Sequence, residues 1–367
     1  MKIERNSNES KALNLMRFPL AALIVLLHTG ITCGPEDFTY YLANYINAPI
    51  VQLAVPTFFF MSGFLFFTGK EDVFDINIYT SKLKKKITTL IIPYIIWNLI
   101  AITSYYLYQY LKHGSIEQWS LIEILWAHGK GIQTTSIFGY KYPIIISPAA
   151  GVLWFMRDLI MMMFCSIIMY PIIKYLRWWT FPLFILISLL KLGIPIPGFS
   201  LTAIIFFYSG TFFSINNINI FTWLERYKKL WIILWPILAI IQQILRICSI
   251  KEFSYELSTF VSISGVAFVF ILSYILINNR NKIVDKLVPL GETSFFIYTF
   301  GNTLILWILN KDIGYFLDTI PYIGHFLCYE FLFIAKIIEC IFIFYIMKKY
   351  TPRLLNILIG CRIKTKL

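Results

Sequence analysis

The sequence predicts an all-α membrane protein, a polytopic bundle of about ten transmembrane helices, from its composition and from the length of its apolar runs. Of the 367 residues, 58% are hydrophobic, 18% are aromatic and only 14% are charged, and the mean hydropathy is +0.71. Soluble domains carry about 25% charged residues. The apolar runs are also too continuous for the alternating strands of an outer-membrane barrel.

The predicted helices follow one another along the chain with short polar connections. Apolar runs of membrane length occupy residues 13–33, 48–69, 87–110, 152–173, 179–194, 199–215, 230–248, 257–278, 288–309 and 323–347. The first run contains Arg17 and His28 and ends without a small-residue cleavage pattern, so it predicts a retained helix and not a signal peptide. No repeat or second domain is visible, so residues 1–367 are predicted to form a single domain.

The distribution of basic residues predicts the orientation of the helices. If the N-terminus is cytoplasmic, 22 of the 32 Lys and Arg residues fall in cytoplasmic segments, as the positive-inside rule requires. Both termini are therefore expected in the cytoplasm, and a loop at residues 111–151 is expected on the outer face. The net charge of +13 reports this topology, so no nucleic-acid partner is expected.

The cysteine and histidine patterns do not support a metal or redox site. The six Cys contain no CxxC pair, and the four His lie far apart in the sequence, whereas metal sites use ligands at short, recurring spacings. No metal and no permanently bound cofactor are expected.

Charged side chains inside the predicted helices mark the candidate site, because each costs about 3 kcal/mol to insert without a partner. At about 1.5 Å of rise per residue, His28 lies about 7 Å inside the outer end of the first helix. Arg157 and Asp158 lie at a similar depth in the fourth helix, and Glu330 lies near this level in the last one. We expect a polar layer in the outer third of the membrane, with Glu330 as a candidate partner for His28.

A second layer of charges is expected at the inner face, and it consists of Arg17, Lys84, Lys85, Lys86 and Glu292. Arg17 and His28 are eleven residues apart. At about 100° per residue they share one face of the helix, about 16 Å apart along its axis. This geometry suits a substrate that extends across the membrane, with an anionic group held inside and a reactive end near His28.

Each of these residues also has a structural interpretation. Arg17 and the lysines at 84–86 are typical of anchors that follow the positive-inside rule. His28 is typical of a polar residue that packs between helices. Arg157 and Asp158 are typical of an ion pair whose two charges neutralise each other. The shared face of Arg17 and His28, with a basic run nearby, favours function for these two.

Five motifs resemble, in order, those of the acyltransferase family 3 integral membrane proteins, many of which O-acetylate bacterial surface glycans. The first two are an Arg and a His separated by ten residues, and a Phe-rich Ser-Gly segment. The others are a basic run before IIPYIIW, a Trp-Phe pair in GVLWFMRDLI, and the segment LGETSFFIY. In this chain the motifs contain Arg17 and His28, Ser62 and Gly63, the lysines at 84–86, Trp154 and Phe155, and residues 290–298.

Two motifs depart from the family pattern. Members often carry Arg-x-x-Arg before the third span, whereas this chain has lysines followed by Thr88 and Thr89. Bidentate recognition of phosphate is thus replaced by point charges. Many relatives end the late motif in Tyr-x-x-His, whereas here Gly301 stands three residues after Tyr298, which leaves His28 as the intramembrane histidine for catalysis.

The resemblance implies a membrane O-acyltransferase in a bacterial-type plasma membrane. It would move an acetyl group from cytoplasmic acetyl-CoA to a hydroxyl of a cell-surface or lipid-linked glycan. Arg17 and Lys84, Lys85 and Lys86 would hold the nucleotide phosphates, and His28 would act as general base or transient acyl carrier. Acyl-CoA, the saccharide acceptor and the lipid bilayer are the expected partners, and a homodimer is left open.

The remaining candidates are assigned to orientation and acceptor binding. Glu330 or Asp158 would orient His28. Trp154 and the aromatics of loop 111–151 offer a surface for a sugar ring, Ser62 is placed in the substrate site, and Arg157 is a candidate contact for an acidic glycan. The alternative is a glycan or small-molecule transporter or flippase of related architecture, which predicts substrate movement without acyl-CoA.

Overall fold

The fold is helical, as the sequence predicts. The computed structural model describes residues 7–67, 75–128, 132–134, 141–143, 147–194, 196–279 and 282–362. The helices are α1 (Ser7–Leu27), α2 (Phe38–Tyr41), α3 (Ala48–Val51), α4 (Ala54–Phe67), α5 (Ile76–Lys86), α6 (Ile92–His113), α7 (Leu121–Leu125), α8 (Trp154–Leu176), α9 (Thr180–Leu189), α10 (Leu201–Ile215), α11 (Ile220–Glu225), α12 (Lys228–Ile247), α13 (Lys251–Asn278), α14 (Lys282–Leu287), α15 (Ser294–Phe300), α16 (Leu304–Asp318), α17 (Gly324–Tyr350) and α18 (Pro352–Leu358). One short antiparallel pair, β1 (Ile132–Thr134) and β2 (Lys141–Pro143), lies in the 111–151 loop.

Several helical segments are long and apolar enough to cross a membrane. In the described part of the chain there are six: Ser7–Leu27, Phe38–Phe67, Ile76–His113, Gly151–Leu189, Lys228–Ile247 and Phe253–Asn278. Leu201–Ile215 is a shorter apolar helix. A multi-pass helical membrane protein is thus confirmed, while the larger number of spans and the side of the termini stay predictions.

Two of the predicted spans are shorter or more divided than the apolar runs indicate. α9 has ten residues, about 15 Å, which is half of the hydrocarbon thickness of about 30 Å. It continues α8 through the 3-10 turn Arg177–Trp179. The run at 288–309 divides into the 3-10 turn Val288–Glu292, α15 and α16. Hydropathy reports where the chain is apolar, but not where its helices break.

α1 lies at the centre of the bundle, where it packs against α4, α13, α15 and α17. The side chains that it buries are apolar over most of its length, with Leu13, Met16, Leu20, Ala21, Ile24 and Val25 among them. Arg17 is half-buried at the middle of α1, and His28 is exposed in the turn after its last residue. α1 therefore carries Arg17, whereas His28 follows the helix and does not lie about 7 Å inside its end, as the apolar run predicts.

α4 and α10 approach each other closely because each has a glycine at the crossing. A Cβ atom on Gly63 would overlap the carbonyl oxygen of Phe207, and one on Gly210 would overlap that of Phe60. Small residues permit such contacts between membrane helices. The crossing fixes the rotation of α4 and thereby places Ser62, next to Gly63, at a cavity wall.

The loop at 111–151 contains a short capped helix and is tied to α6 at its exit. α7 begins with a capping box in which Ser120 and Glu123 bond reciprocally, which satisfies helix donors that have no other partner. At the exit, the backbone N–H of Ala150 donates to Oδ1 of the buried Asn98 at 3.0 Å. Within the loop, the His128 ring stacks on Trp119 with centroids 3.3 Å apart. Residues 129–131, 135–140 and 144–146 lie outside the described residues.

Candidate functional site

A cavity of about 680 Å³ opens at the end of the bundle where α1 begins. Its volume lies within the range of about 300–1,000 Å³ that is typical of small-molecule sites. Side chains from α1, α4, α8 and α15 form its walls. The polar lining residues are Asn14, Arg17, Ser62, Lys86, Glu292, Ser294, Tyr298 and Arg362. We call this space the inner cavity.

Three cations from three separate elements line the inner cavity. Arg17 comes from α1, Lys86 is the last residue of α5, and Arg362 follows α18. The lining carboxylate, Glu292, is paired with Lys348 at 2.6 Å. The cavity is therefore positively charged and suits a ligand with phosphate groups.

The structure separates the predicted cations at the inner face. Nη1 of Arg17 donates to Oδ1 of Asn14 at 3.0 Å, and both residues line the inner cavity. Of the predicted lysines, Lys86 lines it, whereas Lys84 and Lys85 are exposed and do not. Successive helical residues point about 100° apart, so consecutive lysines cannot all face one site.

Aromatic rings close the deep end of the inner cavity. The Tyr298 hydroxyl donates to the carbonyl oxygen of Val152 at 2.6 Å. Its ring meets Phe155 edge to face at 5.9 Å, and Phe155 packs on Phe59 at 4.5 Å. Phe155 of the Trp-Phe pair thus lines the cavity, whereas the partly buried Trp154 packs 6.4 Å from Phe59 and does not.

A second, smaller cavity of about 180 Å³ lies beyond these rings, on the side of the 111–151 loop. Tyr298 lines the inner cavity, and the next residue, Thr299, lines this outer cavity. Its lining includes Ser104, Tyr105, Trp119, Gly151, Val152, Thr299, Asn302 and Thr303. Trp119 Nε1 and Asn302 Oδ1 are buried and have no hydrogen-bond partner among the described residues.

His28 lies directly after α1, and its backbone N–H donates to the carbonyl oxygens of Ile24 and Val25 at 3.2 Å. Its imidazole makes no hydrogen bond within the described part of the chain and lines neither the inner nor the outer cavity. The charged group within electrostatic range of it is the Lys336 ammonium. Lys336 lies on α17 and is 6% exposed. The sequence analysis did not identify Lys336, although it is a charged residue in a predicted span.

Glu330, the predicted partner of His28, also lies on α17 and is half-buried. In the described residues it makes no hydrogen bond or ion pair to His28. It is six residues from Lys336, or about 9 Å along the helix. The depth argument placed Glu330 near the level of His28, but depth along a helix does not fix which way its side chains point.

Arg157 and Asp158 form a buried ion pair. They are 2% and 0% exposed, and Arg157 Nε and Nη2 donate to Asp158 Oδ1 at 3.1 and 3.0 Å. Nη1 of Arg157 also donates to the carbonyl oxygen of Trp126 at 2.6 Å. Asp158 Oδ2 accepts from the backbone N–H of Ser200, the residue before α10, at 3.2 Å. The pair ties the loop and α10 to α8, and no described contact joins it to His28.

The fold is that of a multi-pass helical membrane protein with a positively charged cavity. A sequence model of an acyltransferase domain, that of acyltransferase family 3, matches residues 10–355. The chain therefore belongs to acyltransferase family 3, as its motifs indicate, and the family supports a membrane acyltransferase. No curated protein and no solved structure matches the chain.

Proposed function

We propose that the protein transfers an acyl group, in the simplest case acetyl, from acyl-CoA to a hydroxyl of a glycan or lipid-linked saccharide. The observation that supports this donor is the inner cavity, with cations at Arg17, Lys86 and Arg362 and apolar walls that lead to Tyr298. The nucleotide phosphates lie against the cations, and the pantetheine arm follows the apolar walls past Ser62. The thioester then points to the aromatic rings at the deep end.

The proposed acceptor site is the outer cavity. Tyr105 and Trp119 offer aromatic faces on which a sugar ring can pack. Asn302 and Thr303 offer an amide and a hydroxyl for sugar hydroxyl groups. Donor and acceptor thus approach from opposite ends of the bundle, which fits a cytoplasmic donor and an outer-face acceptor at the plasma membrane.

The proposed reaction uses His28 as general base. The neutral imidazole takes the proton of the acceptor hydroxyl while the hydroxyl oxygen attacks the thioester carbonyl carbon. The carbon–sulfur bond then breaks, and the coenzyme leaves as a thiol after the imidazolium returns the proton. Lys336, whose charge acts on His28, is the group proposed to stabilise the oxyanion of the tetrahedral intermediate. His28 lines neither cavity, so this step requires a rearrangement that brings the imidazole to the acceptor hydroxyl.

The test is acyl transfer from radiolabelled acetyl-CoA to cell-surface glycan in membranes with matched amounts of folded protein. Wild type is compared with His28→Ala and with His113→Ala, which removes an exposed imidazole at the end of α6. We expect label with wild type and His113→Ala and none with His28→Ala. Equal label in all three would contradict the role of His28. An absence of label throughout, with saccharide movement that needs no acyl-CoA, would favour a transporter or flippase.

A further inference from the structure

The chain after α17 turns back onto the bundle. α17 ends at Tyr350, and α18 begins at Pro352, a residue suited to the first turn of a helix. Leu355, Leu358 and Ile359 are buried. The indole Nε1 of Trp97 donates to the carbonyl oxygen of Leu358 at 2.9 Å. These contacts attach the segment 352–362 to α6.

Gly360 fixes the position of the end of this segment. Its φ is +73°, and a Cβ atom there would overlap the carbonyl oxygen of Thr89. Glycine adopts this conformation without steric cost. Thr89 belongs to the π-helical turn Ile87–Ile91, which directly follows Lys86. The close approach therefore holds the segment against the turn beside Lys86, two residues before Arg362.

The Arg362 side chain points into the inner cavity. Its guanidinium lies 3.9 Å from the ring centroid of Phe295, and it lines the cavity together with Arg17 and Lys86. In the described chain no carboxylate forms an ion pair with Arg362, and Glu292 is held by Lys348. Arg362 is exposed, so an anion that enters the cavity can reach its guanidinium.

We infer that Arg362 binds the phosphate groups of acyl-CoA and that the C-terminal segment is part of the donor site. This inference rests on the proposed function. The basic run before the third span supplies lysines, and only Lys86 of these lines the cavity. Arg362 adds the planar, bidentate donor fork that lysine lacks. Arg362 thus adds a second guanidinium to the cavity that Arg17 and Lys86 line.

The primary test is the binding of CoA to the purified full-length protein, measured by calorimetry at low salt. We expect Arg362→Ala to weaken binding about tenfold, as for the loss of a charge-assisted hydrogen bond. Arg353→Ala is the matched control, because Arg353 lies on α18, is exposed and does not line the cavity. Arg353→Ala should bind like wild type.

The outcomes separate this inference from the proposed function. If wild type binds CoA no better than Arg362→Ala, the proposed role of Arg362 is wrong. The proposal that acyl-CoA is the donor is then unaffected. Wild type that binds no CoA would overturn the acyl-CoA donor and this inference with it.

A second measurement separates phosphate contact from a purely structural role. Wild type and Arg362→Ala are compared for CoA and for pantetheine, which has the thiol arm without the nucleotide. If Arg362 contacts phosphate, the substitution weakens CoA binding and leaves pantetheine binding unchanged, and Arg362→Lys restores part of the CoA affinity. An equal loss of affinity for CoA and for pantetheine would contradict the proposed contact between Arg362 and phosphate.

Discussion

Single charged residues in this membrane protein differ in what neutralises them. Arg157 and Asp158 are almost fully buried and neutralise each other, with backbone groups of Trp126 and Ser200 completing their hydrogen bonds. Such pairs are costly to break, because one partner alone is a buried charge. Arg17 and Lys86 instead face a cavity that has room for a ligand. The first kind of charge supports the fold, and we propose that the second kind binds the donor.

This difference predicts distinct effects of removing basic residues at the inner face. Arg17→Ala or Lys86→Ala should raise the KM for acetyl-CoA about tenfold, because each cation faces the proposed phosphate site. Lys85→Ala is the control, since Lys85 is exposed and does not line the cavity. Initial rates of acetyl transfer at several donor concentrations provide the measurement. An equal rise in KM for Lys85→Ala would indicate that the donor responds to the general positive potential of this face and not to a specific phosphate site.

The buried pair gives a second prediction. Asp158→Asn should lower the free energy of unfolding by about 3 kcal/mol, because it leaves the Arg157 charge without a counterion. Two measurements test this: the thermal unfolding of the variant in detergent, and its acetyl transfer per folded molecule. Replacing both residues with leucine should cost less than Asp158→Asn. If Asp158 orients His28 instead, Asp158→Asn would abolish transfer without changing the unfolding temperature.

At the scale of helices, the crossing of α4 and α10 and the short helix α15 organise the site. The glycines at the crossing let two backbones touch, which sets the wall that contains Ser62. α15 separates the cavities, because Tyr298 faces the inner one and Thr299 the outer one. Two successive residues of α15 thus line two different cavities.

The crossing predicts that Gly210→Ala destabilises the protein. Alanine is favoured over glycine in a helix by roughly 1 kcal/mol, but its Cβ would meet the Phe60 backbone, which cannot move without separating the helices. Gly193→Ala is the control, because its Cβ would meet only Leu201 side-chain atoms, at 3.6 Å or more. We expect less folded Gly210→Ala by size-exclusion chromatography in detergent and no change for Gly193→Ala. If Gly210→Ala gives the same yield and the same unfolding temperature as wild type, the close crossing of α4 and α10 is contradicted.

At the scale of the whole molecule, long-range hydrogen bonds show which segments share an end of the bundle. Asn219, before α11, donates to Glu9 near the start of α1 at 2.7 Å. Arg246, near the end of α12, donates to the carbonyl oxygen of Asn44 at 3.2 Å. α12 therefore runs away from the inner-cavity end, and Cys248 and Cys361, both exposed, lie at opposite ends of the bundle.

These two cysteines allow a test of the predicted orientation. In variants that retain only one cysteine, a membrane-impermeant maleimide should label Cys248 in intact cells and Cys361 only after permeabilisation. The reason is the excess of basic residues in the segments that the sequence predicts to be cytoplasmic. Labelling of Cys361 in intact cells, with Cys248 protected, would place the termini outside and reverse the proposed sides of donor and acceptor.

The sequence by itself determined the fold class, the approximate positions of the helices that are long and apolar enough to cross a membrane, and the family. These properties depend on apolar runs, helical periodicity and short motifs, all of which are local. Only the tertiary structure decided that Lys86 and not Lys84 or Lys85 lines the cavity, and that Arg362 joins it from the chain end. It likewise decided that Lys336 is the charged neighbour of His28. These arrangements depend on helix rotation and on contacts between residues far apart in sequence, which packing of the whole bundle sets.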